Sequence, residues 1–147
     1  MTIKLSTGLR DDLLDTGSLK SIFNLGFLKI YSGSPPSSAN DAVTGTLLCT
    51  VSNNGTGTGI TMAASASSGT LAKNGSETWK GTNAATGTAG YFRLVGASDD
   101  GTSSTTQPRI QGSVGTAGED LNLSSVSLTS AAEQTIDYFT VALPETA

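Results

Sequence analysis

The side chains that could do chemistry in this chain are hydroxyls and carboxylates, because the sequence holds 22 Thr, 20 Ser and 12 Asp or Glu but no His. Histidine has an unperturbed pKa close to physiological pH, and it is the usual base beside a Ser or Cys nucleophile. Its absence removes Ser-His and Cys-His pairs and most zinc sites. A Ser-Lys pair stays formally open, but no Ser-x-x-Lys motif lies on a convincing helix. We therefore expect no enzymatic activity.

Two pairs of adjacent carboxylates, Asp11-Asp12 and Asp99-Asp100, are the nearest approach to an acid–base site. Glycosidases need two carboxylates that face each other across a cleft, and the sequence fixes no such pair. Asp99-Asp100-Gly101 offers oxygen ligands for calcium, but it lacks the acidic spacing and the terminal Glu of an EF-hand loop. We interpret this segment as a solvated turn, and we predict neither a metal nor a cofactor.

The single cysteine and the glycine-rich stretches also favour structural interpretations. Cys49 cannot form an internal disulfide, and its place in the apolar run 47–51 predicts a small buried hydrophobe. The stretches 55–59 and 87–90 lack the Lys of a phosphate-binding loop and open no helical pattern. We predict that both are turns.

Composition narrows the class of partner. The net charge is -4, and the eight Lys and Arg are scattered, so no basic surface for nucleic acid is indicated. We expect no secretion signal and no membrane span, because no apolar run reaches about 18 residues. Only 14% of the residues are charged, against about 25% in ordinary soluble domains. Such a surface suits close packing in an assembly, although hydroxyls that merely confer solubility are the alternative.

Residues 1–26 predict a short helical segment. Ser6 or Thr7 can cap a helix that runs to about Asp15, and Ser18 can begin a second turn that ends at Gly26. Both helices are shorter than the roughly 12–15 residues that an isolated helix needs, so they must dock. They either cover their own domain or form an arm that docks on a neighbouring subunit. The candidate partner-contact residues of this segment are Leu9, Leu13, Leu14, Ile22 and Phe23.

In residues 27–147, apolar and polar side chains alternate with a period of two, which predicts strands. Asn74-Gly75 predicts a hairpin between strands at 70–73 and 77–80, and 135–143 predicts one long central strand. The other predicted strands are 27–31, 46–51, 91–95, 108–114, 121–123 and 126–128. Eight to ten short strands predict a mainly β fold, a single-domain antiparallel β-sandwich of jelly-roll type, with Trp79 as an anchor of its core.

Several segments occur in an order that resembles a family of small virion proteins of tailed bacteriophages. The resemblance covers nearly the whole chain, and the family has no active-site motif to carry over. The segments that carry it are 1–15 (MTIKLSTGLRDDLLD), 28–48 (LKIYSGSPPSSANDAVTGTLL), 71–81 (LAKNGSETWKG), 86–94 (TGTAGYFRL), 115–128 (GTAGEDLNLSSVSL) and 134–144 (QTIDYFTVALP).

The resemblance implies a non-enzymatic structural role in the virion, after synthesis in the host cytoplasm. We expect a capsid cement or decoration protein that stabilises contacts between subunits of the major capsid protein. A neck, head–tail connector or tail-associated protein is the alternative, and a carbohydrate-binding module on a fibre is a third. The implied partners are the major capsid protein or other virion proteins, with self-association as a dimer, trimer or ring.

Overall fold

The computed structural model of the protein describes residues 3–145 of the 147. Two short helices lie near the N-terminus, α1 (Thr7–Asp15) and α2 (Leu19–Ile22). The strands are β1 (Lys4–Leu5), β2 (Phe27–Ser32), β3 (Leu47–Asn53), β4 (Thr70–Ala72), β5 (Trp79–Thr82), β6 (Gly87–Val95), β7 (Arg109–Gly115), β8 (Leu121–Asn122), β9 (Ser127–Leu128), β10 (Glu133–Ile136) and β11 (Thr140–Ala142). The predicted class, a mainly β antiparallel sandwich with a short helical N-terminal segment, is confirmed.

The two sheets of the sandwich are unequal. Nine strands form the larger sheet in the order β1-β7-β6-β2-β3-β5-β10, with β8 beside β7 and β9 beside β6. The smaller sheet contains only β4 and β11. All pairs are antiparallel except β7 with β8.

The apolar core lies against one face of the large sheet, where alternate residues of β2, β3, β6 and β7 point inward. Trp79 is 0% exposed, so its predicted place in the core is confirmed. Its ring centroid lies 5.8 Å from that of Phe139, which in turn meets Phe92 edge to face at 5.6 Å. The thiol of Cys49 is buried as predicted, and burial raises its pKa to about 11.

The hairpin predicted at Asn74-Gly75 is wrong. β4 pairs with β11 in the small sheet, whereas β5 pairs with β3 and β10 in the large one, so the turn carries the chain from one sheet to the other. A type I′ hairpin turn needs positive φ at both central residues, and neither Asn74 nor Gly75 has it. Two successive positive φ values occur instead at Asn54-Gly55, at 54° and 69°, and at Ser68-Gly69, at 52° and 73°. The stretch 87–90, predicted to be a turn, is the beginning of β6 instead.

The single long strand predicted at 135–143 is also wrong. The chain leaves the large sheet after Ile136 and enters the small sheet at Thr140, so β10 and β11 pair with different partners. The alternation of apolar residues continues across the break, and for that reason the sequence predicts one strand. Because of the break, the Tyr138 side chain is 86% exposed and does not lie in a central strand covered on both sides.

The opposite face of the large sheet carries a buried polar layer under the loops 33–46 and 96–108. Arg109 is 0% exposed, and its Nε and Nη2 donate to Asp99 Oδ2 at 2.6 Å and Oδ1 at 2.9 Å. Its guanidinium also donates to the carbonyl oxygens of Ala39 at 3.2 Å and Thr102 at 2.6 Å. Asp99 is therefore a buried ion-pair partner, which corrects the prediction of a solvated turn, and only Asp100 is exposed.

A second buried arginine completes this layer. Arg93 Nε donates to Gln111 Oε1 at 2.9 Å, and its Nη2 donates to the carbonyl oxygen of Asp41 at 2.8 Å. Desolvation, and then the charge of Arg109, lowers the pKa of Arg93. Beside it, the Tyr31 and Tyr91 rings stack at 5.1 Å. The layer thus ties the two loops to the sheet through hydrogen bonds instead of apolar packing.

We expect Asp99→Asn to lower the free energy of unfolding by about 3–5 kcal/mol, because it leaves the charge of Arg109 buried without its counter-ion. Urea denaturation followed by tryptophan fluorescence measures the change. Asp100→Asn is the matched control, since that neighbouring carboxylate is exposed and its loss should change little. Equal effects of the two variants would show that the buried pair has no special importance.

Stability should also fall at alkaline pH through Tyr31. Burial, and then the neighbouring Tyr91, raises the pKa of Tyr31 from 10.0 to about 12 in the folded state. The stabilisation is therefore complete below pH 10 and is lost as the pH rises towards 12, because only the unfolded chain ionises readily in that window. Denaturation midpoints between pH 9 and 12 should fall less steeply for Tyr31→Phe than for the wild type. Parallel curves would contradict this assignment.

Candidate docking surface

The N-terminal segment is anchored to the sheet through Ser6. Its Oγ caps α1 by accepting from the Leu9 backbone N–H at 3.2 Å, as the sequence predicts. The same Oγ accepts from the Arg109 backbone N–H at 2.9 Å and donates to the Gln107 carbonyl at 2.7 Å. Gly8 allows this approach, because a Cβ there would collide with the backbone of Thr106. One hydroxyl therefore fixes both the start of α1 and its position on β7.

The second helix is capped locally. Ser18 and Ser21 form a reciprocal capping box, with the Ser21 backbone N–H donating to Ser18 Oγ at 3.1 Å and the Ser18 backbone N–H donating to Ser21 Oγ at 3.0 Å. Lys20 Nζ then donates to the carbonyl oxygen of Ala64 at 2.8 Å, which holds residues 64–66 beside the helix. Both helices pack on the domain to which they belong.

The five candidate contact residues are divided between the core and the surface. Leu9 and Phe23 are 0% and 1% exposed and belong to the core. Leu13 and Ile22 are half-buried against that core, and Leu14 is 87% exposed. Only Leu13, Leu14 and Ile22 therefore present apolar area to a partner. A two-residue strand, β1, also lies in the segment that the sequence assigns to helices alone.

Two neighbouring apolar cavities lie where the helices meet β11. One measures about 310 Å³ and lies among α2, residues 64–66, β4 and β11. The other measures about 180 Å³ and lies among β1, α1, α2 and the end of β11. Both are lined by Leu19, Val141 and Leu143. We call the region the helix–β11 surface, and its apolar residues are Ile3, Leu5, Leu13, Leu19, Leu71, Val141, Leu143 and Pro144. Leu14 is exposed on α1 but lines neither cavity.

The sequence predicted only part of this surface. The capped helices indicated Leu13, but Leu143, which is 66% exposed, falls in the segment expected to be a covered central strand. Lys20 is the charged residue that lines the larger cavity, and the described residues that line the smaller one carry no charge. An exposed, mainly apolar area of this kind is typical of a protein-binding surface.

The structure brings together no catalytic constellation from the residues considered above. The Asp99 carboxylate is ion-paired with Arg109. The Asp100 carboxylate accepts hydrogen bonds from the Thr102 hydroxyl at 2.7 Å and from the Thr102 backbone N–H at 3.0 Å, and these bonds lower the pKa of Asp100. Within residues 3–145, no group of three or more Cys, Asp or Glu is placed to hold a metal ion. In the same part of the chain, no helix has the length and apolarity to cross a bilayer.

Comparison with known proteins gives no match for this chain among protein-family models, curated proteins or solved structures.

The two faces of α1 should respond differently to truncation. Leu9→Ala should lower the free energy of unfolding by about 2–5 kcal/mol, because it opens a cavity in the core. Leu14→Ala should change it by less than about 0.5 kcal/mol, because the side chain is already in solvent. Urea denaturation compares the two variants. A large loss with Leu14→Ala would mean that this residue is part of the domain's own packing.

Proposed function

We propose that the protein is a non-enzymatic structural component of a tailed-phage virion, and most specifically a capsid cement protein. The helix–β11 surface carries the proposal. Leu143 is 66% exposed, and two apolar cavities open beside it. Leaving such an area in water is unfavourable at roughly 25 cal/mol per Å², so a partner that covers it gains affinity.

The proposed partner of this surface is the major capsid protein. The resemblance of the sequence segments to small virion proteins implies only a place in the particle. We choose the major capsid protein as the partner because a small rigid sandwich suits a protein that binds the shell in many copies. An apolar projection of the partner would fill the two cavities. The helices and strands that form the surface are anchored on a rigid sheet, so little ordering cost accompanies docking.

Copy number in purified virions tests the position in the particle. Quantitative mass spectrometry against the major capsid protein should give a ratio near one, or a simple fraction such as about one-third, for a cement protein on a symmetric shell. A total of roughly six to twelve copies would instead indicate a ring at the neck or tail. Absence from the virion would overturn the structural role itself.

Surface variants test which face docks. Leu143→Asp should abolish incorporation into particles while the thermal midpoint stays within a few degrees, because the side chain is largely exposed. Leu25→Asp is the control, since Leu25 is 48% exposed but lies outside the helix–β11 surface. Normal incorporation of Leu143→Asp would exclude this surface as the docking face.

A further inference from the structure

Tyr138 is an exposed aromatic side chain held in a fixed place. It is 86% exposed, whereas the other aromatic residues of the described chain are buried or half-buried. The next residue, Phe139, is 4% exposed and packs against Phe92 and Trp79. The core therefore holds the backbone here, while the tyrosine ring stands in solvent.

A cavity of about 320 Å³ lies beside this ring. Tyr138 and Thr140 line it from the connection into β11, and Glu119, Asp120 and Asn122 line it from the turn before β8. Its volume is in the range of small ligand sites. It adjoins the first residue of β11, whereas the helix–β11 surface involves the residues that follow, so the two sites are lined by different residues.

The turn that carries the two carboxylates is braced by hydrogen bonds. Asn122 accepts from the Glu119 backbone N–H at 3.1 Å and donates to the Glu119 carbonyl at 3.2 Å. Asp120 Oδ2 accepts from the Ser113 backbone N–H at 3.0 Å and the Ser113 hydroxyl at 3.1 Å. A Cβ at Gly115 would lie 2.5 Å from Glu119 Cγ, so glycine makes room for the glutamate side chain. The backbone of Glu119 and the carboxylate of Asp120 are thus held in place by the protein itself.

The cavity lacks a cationic partner for these carboxylates. Glu119 Oε2 is buried and has no hydrogen-bond partner among the described residues, and no Lys or Arg of residues 3–145 lines the cavity. A buried acceptor without a donor carries an uncompensated desolvation cost, and it leaves the carboxylate charge of Glu119 unpaired. A guest with a positive charge and N–H donors would compensate the negative charge of the two carboxylate residues that line the cavity.

We propose that this cavity, the Tyr138 pocket, binds the guanidinium group of an arginine side chain that a protein partner presents. A guanidinium is planar and can stack on the Tyr138 ring while its N–H groups reach the carboxylates of Glu119 and Asp120. A neutral sugar would supply donors but no charge, and a lysine ammonium lacks the planar fork. Tyrosine and arginine are also the residues enriched at interface hot spots.

The identity of the partner as a virion protein rests on the proposed function, but binding of the arginine group does not. The test is therefore made with a purified peptide. The ¹⁵N-labelled full chain is titrated with acetyl-Gly-Arg-Gly-amide, and the matched peptide contains citrulline, which has nearly the same shape but no charge. Amide shifts should concentrate at residues 119–122 and 138–140, and the citrulline peptide should bind at least about tenfold more weakly.

Variants assign the binding to the pocket. Glu119→Gln and Tyr138→Ala should each weaken the binding of the arginine peptide by about three- to tenfold. The thermal midpoint of Tyr138→Ala should stay unchanged, because the ring is exposed. Asp100→Asn also removes one negative charge, but at a residue that does not line the pocket, so it should leave peptide binding intact.

If the protein binds the peptide but is absent from virions, the proposed function is overturned and the arginine pocket is not.

Three results would overturn the arginine pocket. One is equal binding of the arginine and citrulline peptides, and another is a set of shifts spread over the acidic surface that Glu119→Gln does not reduce. The third is tighter binding of maltotriose than of the arginine peptide at the same residues. That result would identify the pocket as a saccharide site and favour the carbohydrate-binding alternative for the whole chain.

Discussion

Arg109 places a positive charge at 0% exposure between the large sheet and two long loops. Burying a charge is costly unless the charge is hydrogen-bonded and, as here, paired, so groups from several segments surround the Arg109 guanidinium. Asp99 and Thr102 come from one loop and Ala39 from the other, while the Arg109 backbone joins Ser6 at the start of α1. The loops, the first helix and the sheet therefore order together around this residue.

This constraint explains how the helices are held on their own domain. A nine-residue and a four-residue helix have too little internal stability to persist alone. Ser6 ties the first to β7, and the buried side chains of Leu9 and Phe23 add apolar contact with the core. The helices consequently expose only their outer side, and that side becomes part of a rigid surface.

The break between β10 and β11 has the largest consequence for recognition. It moves the chain from the large sheet to the small one, and in doing so leaves Tyr138 and Leu143 in solvent. The residues of β11 then line an aromatic and acidic pocket at one end and an apolar surface at the other. β11 therefore contributes to two chemically different surfaces on fixed backbone, which are the two surfaces for which partners are proposed above.

The sequence by itself determined the local features: the caps at Ser6 and Ser18, most strands, the burial of Trp79 and Cys49, and the sandwich class. Each follows from neighbouring residues, through side chains that bond their own backbone or through apolar alternation. Tertiary structure decided the sheet in which each strand pairs, the burial of Asp99 with Arg109, and the exposure of Tyr138 and Leu143. Those outcomes depend on contacts between distant segments, such as Asn74-Gly75 crossing between sheets. A continuous apolar alternation at 135–143 cannot reveal where the chain changes sheets, because both halves of the segment have the same period.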